Sequence, residues 1–521
     1  MNVTPTGAVD SGTVAPMVRT PDGAVAGLDL GGVQRFLGIP YAAPPVGALR
    51  LRGPRALAPW PGVLDGTRPA PASLQTLGGN QVWMNEPIDR QAEDCLYLNV
   101  WTPDPKGSAP VLFWLHGGQT RNGHGAAPGI DGAALARQGL VVVTINYRLG
   151  ALGGLAHPAL LDVDTGLCAN WGLQDKLAAL AWVQRSIAAF GGDPARVTLA
   201  GQSSGGANAV MIAQHRLGSG SYARVIAQSP PLFRPPMFVD LDAAAEYTEA
   251  LARSMGTTVA GLRAVDGREL QRAEHAFAYS PQLTAQMGRP RTAPVRDGKL
   301  LRHWPYDAPT AEVPVLAGWT RSESDFWFGL SDGRGCVISP QQPPRTEAEL
   351  LKRCGGLIGL HHAFDASPTA QAVVDAYRAS GGPEQVWRDV YTDLVFRAPI
   401  LHFLARQARA GLPAWAYEFG HPIDSAAGGT PHATDVPFVF GTWGHPHFDG
   451  KIGDAASVAV TSAAVMAAWV AFVRDGDPSS AGPWPRFEPN APRVLQFLAA
   501  GATCAGEPQR PQGLACWQAY R

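Results

Sequence analysis

One serine stands in a setting that would make it a nucleophile. Residues 201–205 read Gly-Gln-Ser-Ser-Gly, which fits the pattern Gly-x-Ser-x-Gly with Ser203 at its centre. A strand pattern over 197–200 precedes it and a helical pattern over 207–215 follows it. A sharp strand-to-helix turn pushes the central side chain out at the edge of a sheet, beside the positive end of the helix. An ordinary glycine turn with a surface serine is the alternative, and the flanking strand and helix favour the nucleophile.

A second segment offers hydrogen-bond donors for a developing negative charge. His116, Gly117, Gly118 and Gln119 follow directly on an apolar run. Such a loop can aim the backbone N–H groups of Gly118 and Gln119 at a carbonyl oxygen, together with the N–H of Ser204. We interpret Gly117 as a candidate substrate contact and His116 as a residue that holds the loop. A simple turn is the alternative for the two glycines.

The elements that would position these groups alternate between strand and helix. Residues 111–115 form an apolar run of strand length, and 141–145 form another that is broken only by Thr144; both are typical of strands buried on both faces. Leu173, Leu177, Leu180 and Ile187 recur at helical spacing, and Gly191 with Gly192 predicts the end of that helix. This order predicts an α/β fold with a mostly parallel central sheet flanked by helices. Further helices are predicted over 243–255, 372–380 and 462–473, and a short strand over 313–318, where Pro314 disfavours a strand.

Composition excludes several classes of protein. Of 521 residues, 45% are hydrophobic, which is enough for a large core. The 42 Lys plus Arg against 43 Asp plus Glu leave a net charge of -1, so nucleic acid is not an expected partner. No apolar run approaches membrane-spanning length, and residues 1–30 show no signal peptide. We expect one domain over 1–521 and a cytoplasmic location, with a secreted mature form left open.

Six cysteines are too few for a disulfide framework in a chain this long. Cys504 with Cys516, and Cys336 with Cys354, are the two pairs that the sequence allows. Free thiols are the favoured interpretation, and no Cys-x-x-Cys spacing suggests a metal site.

Several longer motifs resemble those of the type-B carboxylesterase family, which includes cholinesterases and lipases. They cover most of the chain and are far more specific than Gly-x-Ser-x-Gly. The matching segments are 36–42 with 44–47, 93–100, 146–150 and 190–194. The resemblance implies an α/β-hydrolase fold with long loop and helical insertions. It also implies a serine ester hydrolase that works through an acyl-enzyme on a small-molecule ester and needs no cofactor.

The resemblance also points to an acid and a base for the serine. Residues 318–323 resemble the family segment that carries the acid, which indicates Glu323, with Asp325 as the local competitor. Residues 431–441 resemble the segment that carries the base, which indicates His432. The chain order Ser, acid, His is the one expected for this fold. The nearby alternatives to the base are His421, His445 and His447.

No metal site is predicted. His361 with His362, and His445 with His447, are the histidine pairs that could suggest one. Neither pair comes with a matching set of carboxylates or cysteines, so surface histidines are the favoured interpretation.

Three positions near the nucleophile depart from the family pattern. Gln202 stands where Glu is common, which removes a negative charge, so we expect no preference for choline esters. Ser204 stands where Ala is usual, and its N–H can still donate. The loop reads Gly118, Gln119, Thr120 and Arg121 where a glycine or alanine followed by an aromatic residue is more usual. Arg121 is the unusual residue, and we hypothesise that it binds a substrate carboxylate. A structurally paired arginine is the alternative.

Other family features concern stability. The upstream cysteine that pairs with Cys95 in secreted members is replaced by Ser73, which agrees with a reducing location. Two pairs resemble structural salt bridges of the family, namely Arg148 with Asp175 and Arg50 with Glu93.

Substrate preference is the least determined feature. Trp327, Phe328 and Phe438 are candidate pocket walls, and 83–88 is a candidate lid segment. The favoured activity is hydrolysis of short or medium esters. The alternatives are a lipase or a hydrolase of bulky or acidic esters, and a non-catalytic binding relative. Both monomer and dimer remain open.

Overall fold

An eleven-stranded mixed sheet forms the centre of the protein, which we describe from a computed structural model. The described residues are 15–78, 81–84, 88, 90–232, 238–281, 283, 292–332, 336–360, 368–423, 428–499, 501–505 and 510–517. His361 and His362 lie outside them.

Eighteen strands are found in this part of the chain. They are β1 Met17–Thr20, β2 Gly23–Ala26, β3 Leu28–Asp29, β4 Gln34–Pro40, β5 Val63–Asp65, β6 Ala72–Ser73, β7 Gln91–Ala92, β8 Tyr97–Thr102, β9 Ala109–Leu115, β10 Val141–Ile145, β11 Gly192–Gln202, β12 Arg224–Gln228, β13 Val239–Asp240, β14 Val295–Arg296, β15 Val315–Thr320, β16 Ala414–Phe419, β17 Val494–Leu498 and β18 Gly501–Ala505.

The α-helices lie between and after these strands. They are α1 Ala133–Arg137, α2 Gly150–Gly154, α3 Trp171–Ser186, α4 Ser204–Gln214, α5 Leu241–Ser254, α6 Gly267–Ala278, α7 Asp325–Phe328, α8 Glu347–Leu360, α9 Ala370–Tyr377, α10 Pro383–Thr392, α11 Ala398–Arg409, α12 Asp435–Val439, α13 Ala455–Asp475 and α14 Pro511–Ala515. A π-helical turn, Asp393–Arg397, joins α10 to α11.

The large sheet has the order β18-β17-β16-β15-β12-β11-β9-β10-β8-β4-β3. Its seven strands from β17 to β10 are parallel to one another, and the outer strands at both edges are antiparallel. Every residue of β10 and β15 is buried, as expected for strands covered by helices on both faces. The fold class predicted from the sequence is therefore confirmed.

Element boundaries differ from the predicted ones in ways that have physical reasons. The strand predicted over 197–200 is the inner part of the longer strand β11, Gly192–Gln202. Its beginning was not predicted because residues 193–196 are less buried and carry no apolar run. Helix α4 begins directly after Ser203, three residues earlier than predicted, because glycines that would weaken a helix are needed there for close packing. Strand β15 begins after Pro314, which has no N–H for a strand ladder.

One described helix, α13, is long and apolar enough by composition to cross a bilayer. Its contact face is buried in the protein core, and Val465, Trp469 and Phe472 on that face are fully buried. Its apolar character is accounted for by this packing, and it gives no evidence of a membrane span.

Buried ion pairs and thiols bear on the stability expectations. Arg148 forms a two-pronged pair with Asp175 at 2.9 and 2.7 Å, and Arg50 binds both carboxylate oxygens of Glu93. Both pairs expected from the family resemblance are thus present. The cysteines described as free thiols are Cys95, Cys168, Cys336, Cys354 and Cys516, so neither pair that the sequence allowed is formed by these residues.

Lys176, on α3, is a buried cation under the central sheet. It is 2% exposed and donates to the Gly172 carbonyl at 3.1 Å. Its ammonium lies 3.4 Å from the centre of the Tyr147 ring. Burial lowers the pKa of Lys176 to about 7, although Asp175 opposes the shift.

This lysine predicts a pH-dependent stability. Between pH 7 and the ordinary lysine pKa of 10.5 the unfolded chain binds a proton that the native protein does not, so the unfolding free energy rises with pH. Lys176→Met removes this dependence. We therefore compare the unfolding free energy of the variant with that of the wild type at two pH values. We expect the difference, variant minus wild type, to be on the order of 1–3 kcal/mol larger at pH 6 than at pH 9. Urea unfolding of both proteins at the two pH values measures it, and a pH-independent difference would contradict the assignment.

Candidate active site

Ser203 occupies a strained turn between β11 and α4. Its backbone has φ +55°, a conformation that residues with a Cβ rarely adopt. Close backbone packing enforces the turn. A Cβ on Gly205 would lie 2.1 Å from the Leu115 carbonyl oxygen, and one on Gly201 would lie 2.5 Å from the Gly205 carbonyl carbon. The glycines are therefore required, and the turn presents the Ser203 side chain at the carboxyl end of the parallel strands.

The loop after β9 lies beside this turn, because β9 and β11 are neighbours with Leu115 opposite Gly201. Gly118, Gln119 and Thr120 all have positive φ, at 105°, 58° and 58°. The N–H groups of Gly118, Gln119 and Ser204 donate no hydrogen bond to any residue in the described part of the chain. Three backbone donors are thus left unused at the edge of one cleft.

His116 supports this loop from behind. Its Nδ1 lies 2.8 Å from the Gly117 carbonyl, and its ring stacks on Tyr147 at 4.2 Å between centres. The Tyr147 hydroxyl donates to the His116 carbonyl at 2.6 Å. Burial lowers the pKa of His116 to about 3, so this imidazole is neutral at ordinary pH. These contacts agree with the predicted loop-holding role.

Glu323 and His432 meet in the core next to the cleft. The Glu323 carboxylate lies 2.5 Å from His432 Nδ1, and its other oxygen accepts the Thr320 N–H at 2.8 Å. Glu323 is fully buried and His432 is 3% exposed. Because the carboxylate accepts from Nδ1–H, the imidazole keeps its lone pair on Nε2. Phe396, on the π-helical turn, packs against the imidazole at 4.8 Å.

The competing candidates have other partners. Asp325 is paired with Arg388 at 2.7 Å, and burial raises the pKa of Asp325 to about 6. His421 bonds to the Thr461 hydroxyl at 2.8 Å. His445 and His447 belong to a short turn, where His447 Nε2 lies 2.8 Å from the Trp83 carbonyl. None of these four residues lines the cleft that contains Ser203.

Gln202 contacts the histidine from the other side. Its Nε2 lies 3.1 Å from His432 Nε2, and its side chain is buried. The Ser203 hydroxyl forms no hydrogen bond with any described residue. In this resting arrangement the glutamine amide therefore caps the lone pair of the imidazole, and the serine hydroxyl is free beside it.

These groups line one cleft with about 690 Å³ of empty space, part of it open to solvent. No Lys, Arg, Asp or Glu occurs among the described residues of its wall. The wall residues are Met84, Trp114, His116, Gly117, Gly118, Gln119, Asn122, Gly123, His124, Ala127, Gly129, Ile130, Gln202, Ser203, Phe326, Trp327, His432, Ala433 and Val436. The cleft is uncharged and largely apolar.

Three of the candidate substrate contacts lie elsewhere. Arg121 is bound to Glu274, so the hypothesis that it waits for a substrate carboxylate is not supported. Phe328 packs against Trp387 and Tyr391, behind the cleft. Phe438 packs against Phe419 and His421.

The sequence interpretation missed other parts of the wall. Of the candidate lid, Met84 borders the cleft, whereas residues 85–87 lie outside the described part. Phe326 and Trp114 were not singled out as wall residues. Phe326 precedes Trp327 in a helix of four residues, which was the available signal, whereas the central position of Trp114 in a buried strand gave none.

No group of three or more His, Cys, Asp or Glu that could hold a metal ion is found among the described residues.

A parallel sheet with a nucleophile-type turn after its central strand defines the α/β-hydrolase fold. The chain belongs to the carboxylesterase family, whose model matches residues 14–512. It is accordingly an enzyme that hydrolyses carboxylic esters.

Curated relatives agree with this assignment. The chain is 36% identical to fumonisin B1 esterase of Sphingopyxis macrogoltabida, over 90% of this chain and 84% of the relative. It is 34% identical to phenmedipham hydrolase of Pseudarthrobacter oxydans, over 95% and 98% of the two chains. It is 31% identical to para-nitrobenzyl esterase of Bacillus subtilis (strain 168), over 95% and 96%.

Solved structures show the same fold. A PNB esterase matches with a TM-score of 0.79 and 29% identity, covering 96% of this chain and 100% of that one. Carboxylesterase EST55 of Geobacillus stearothermophilus matches with a TM-score of 0.79 and 28% identity, again covering 96% and 100%.

The glycine packing of the turn predicts a matched pair of outcomes. Gly205→Ala places a methyl group against the Leu115 carbonyl, and we expect it to lower the unfolding free energy by about 1–3 kcal/mol and to reduce ester hydrolysis strongly. Gly356→Ala, in α8 with open space around it, should instead stabilise by about 0.5–1 kcal/mol and leave hydrolysis unchanged. Urea unfolding and an ester assay measure both, and equal behaviour of the two variants would refute the packing argument.

Proposed function

We propose that Ser203, His432 and Glu323 form the catalytic triad of this carboxylesterase, which works through an acyl-enzyme. The observation that carries the proposal is the buried Glu323 carboxylate 2.5 Å from Nδ1 of His432, which itself lines the cleft into which the strained turn presents Ser203. A carboxylate in that place fixes the imidazole tautomer and stabilises the imidazolium that forms during reaction.

His432 acts as the general base through Nε2. In the resting protein this lone pair accepts a hydrogen bond from the Gln202 amide. Substrate binding brings the Ser203 hydroxyl to Nε2 in place of the amide, since catalytic hydrogen bonds often tighten only in the substrate complex. Gln202 is thus a neutral neighbour that keeps the imidazole in position while the cleft is empty.

The reaction then proceeds in two halves. Ser203 Oγ bonds to the ester carbonyl carbon while its proton moves to His432 Nε2. The tetrahedral intermediate collapses, the bond to the alcohol oxygen breaks, and His432 gives its proton to the leaving alcohol. Water adds to the acyl-enzyme by the same route, with His432 as base, and releases the acid and free Ser203.

The unused N–H groups of Gly118, Gln119 and Ser204 form the oxyanion hole of the proposed site. They are backbone donors fixed before the reaction, which is the arrangement that stabilises a developing oxyanion most strongly. Removal of one such donor typically costs about 10²–10³ in rate.

Neutral esters with an apolar or aromatic group are the proposed substrates. The uncharged wall, with Trp114, Phe326 and Trp327, supports this choice over acidic or cationic esters. The relative named for a para-nitrobenzyl ester agrees with an aromatic substrate.

Removal of the serine hydroxyl tests the triad. We expect Ser203→Ala to lower kcat for 4-nitrophenyl butyrate by about 10⁴–10⁶ and to abolish the burst of nitrophenol, because no acyl-enzyme forms. His432→Ala and Glu323→Gln should also lose activity, with losses that do not add to that of Ser203→Ala. The control is Ser219→Ala, an exposed serine, with full activity expected. Turnover by Ser203→Ala at the wild-type rate would end the proposal.

The neutral Gln202 predicts a second outcome. The wild type should not prefer butyrylcholine over its uncharged isostere 3,3-dimethylbutyl butyrate. Gln202→Glu places a carboxylate at the cleft and should raise the ratio of the two kcat/KM values about tenfold in favour of the cation. Gln138→Glu adds the same charge at an exposed position and should leave the ratio unchanged. A wild-type preference for the choline ester would contradict the neutral-cleft argument.

A further inference from the structure

The loop that carries the proposed oxyanion donors is strained. Gln119 and Thr120 are consecutive residues with a Cβ, and both have φ +58°. Such residues stay in the left-handed region only when their surroundings determine it. The loop therefore needs contacts from outside itself to keep the N–H groups of Gly118 and Gln119 in their places.

One outside contact comes from the nucleophile helix. The Thr120 N–H donates to the Ser204 hydroxyl at 3.3 Å, and Ser204 is 2% exposed. The Thr120 carbonyl accepts the Gly150 N–H at 2.9 Å. The backbone N–H and the backbone carbonyl of Thr120 are thus both hydrogen-bonded, and the partner of the N–H is the residue next to Ser203.

A second contact comes from α6. Arg121 binds both carboxylate oxygens of Glu274, at 2.8 and 2.7 Å, and the Thr292 hydroxyl at 2.6 Å. Glu274 is fully buried, and Tyr247 donates to it at 2.7 Å. A bidentate guanidinium–carboxylate pair fixes direction as well as distance, so Arg121 is held firmly in the loop.

We infer that Ser204, through its hydroxyl, and Arg121, through Glu274, are positioning residues for the oxyanion hole. Neither group touches the reacting atoms. They clamp the strained loop from two sides, and the inference rests on the proposed function of its N–H groups. The Ser204 side chain and the Arg121–Glu274 pair therefore control kcat, with little effect on substrate affinity.

The experiment compares Ser204→Ala, Glu274→Gln and the double variant in the full chain. Glu274→Gln keeps the shape of the side chain and removes its charge. We expect kcat for 4-nitrophenyl butyrate to fall about tenfold for each single variant, with KM changed less than about threefold, because misplaced donors weaken only the transition state. The double variant should lose less than the product of the two, since one loop is released in both.

An aryl trifluoromethyl ketone gives the second readout, because its adduct with the serine places an oxyanion in the hole. Its Ki should rise in proportion to the loss in kcat/KM across the series. Arg121→Lys keeps the positive charge but cannot form the bidentate pair. Its kcat and its Ki for the ketone should lie between those of the wild type and those of Glu274→Gln. Arg55→Met, which breaks a partly buried ion pair with Asp162 outside the cleft wall, is the control and should leave kcat and Ki unchanged.

Two results would overturn the inference. One is a change in KM with kcat intact, which would make these residues substrate contacts. The other is a loss of kcat with an unchanged Ki for the ketone. Failure of the triad proposal itself is recognised separately, by turnover in Ser203→Ala.

Discussion

The contact between α4 and the end of β9 is the constraint on which the rest of the site depends. Gly205 approaches the Leu115 carbonyl so closely that no side chain fits between them. This packing places the helix directly against the sheet and forces Ser203 into its strained conformation with positive φ. Because β9 and β11 are adjacent, the same contact places the serine beside the loop that follows Leu115.

The acid and the base come from more distant parts of the sheet. Glu323 follows β15, two strands away from β11, and His432 lies in the loop before α12. Two other buried acids lie near them but are bound elsewhere: Asp325 by Arg388, and Asp435 by Gln228 and Tyr417. Burial raises the pKa of Asp435 to about 6. Only Glu323, of these three, faces the imidazole.

Local features could be predicted from the sequence, and long-range pairings could not. The turn at Ser203 was predictable because strand, glycines and helix are consecutive, and each has its own local signal. The contact of Glu323 with His432 joins residues 109 positions apart, so only family resemblance pointed to it. The pairing of Arg121 with Glu274 spans 153 positions, and the orientation of Gln202 depends on packing. For these two, residue type alone suggested roles toward a substrate, whereas the structure has both bound to protein groups.

The uncharged wall of the cleft has a consequence for how the enzyme meets its substrate. No ionised side chain occurs among its described lining residues, and the Glu323 carboxylate lies behind His432. The backbone dipoles and imidazole groups that line the cleft act over a few ångströms. The rate at which the enzyme meets a neutral ester is then governed by diffusion and by the shape of the cleft, and not by long-range electrostatic steering. The second-order rate of ester capture should accordingly be almost insensitive to ionic strength, because dissolved salt has no attraction to screen.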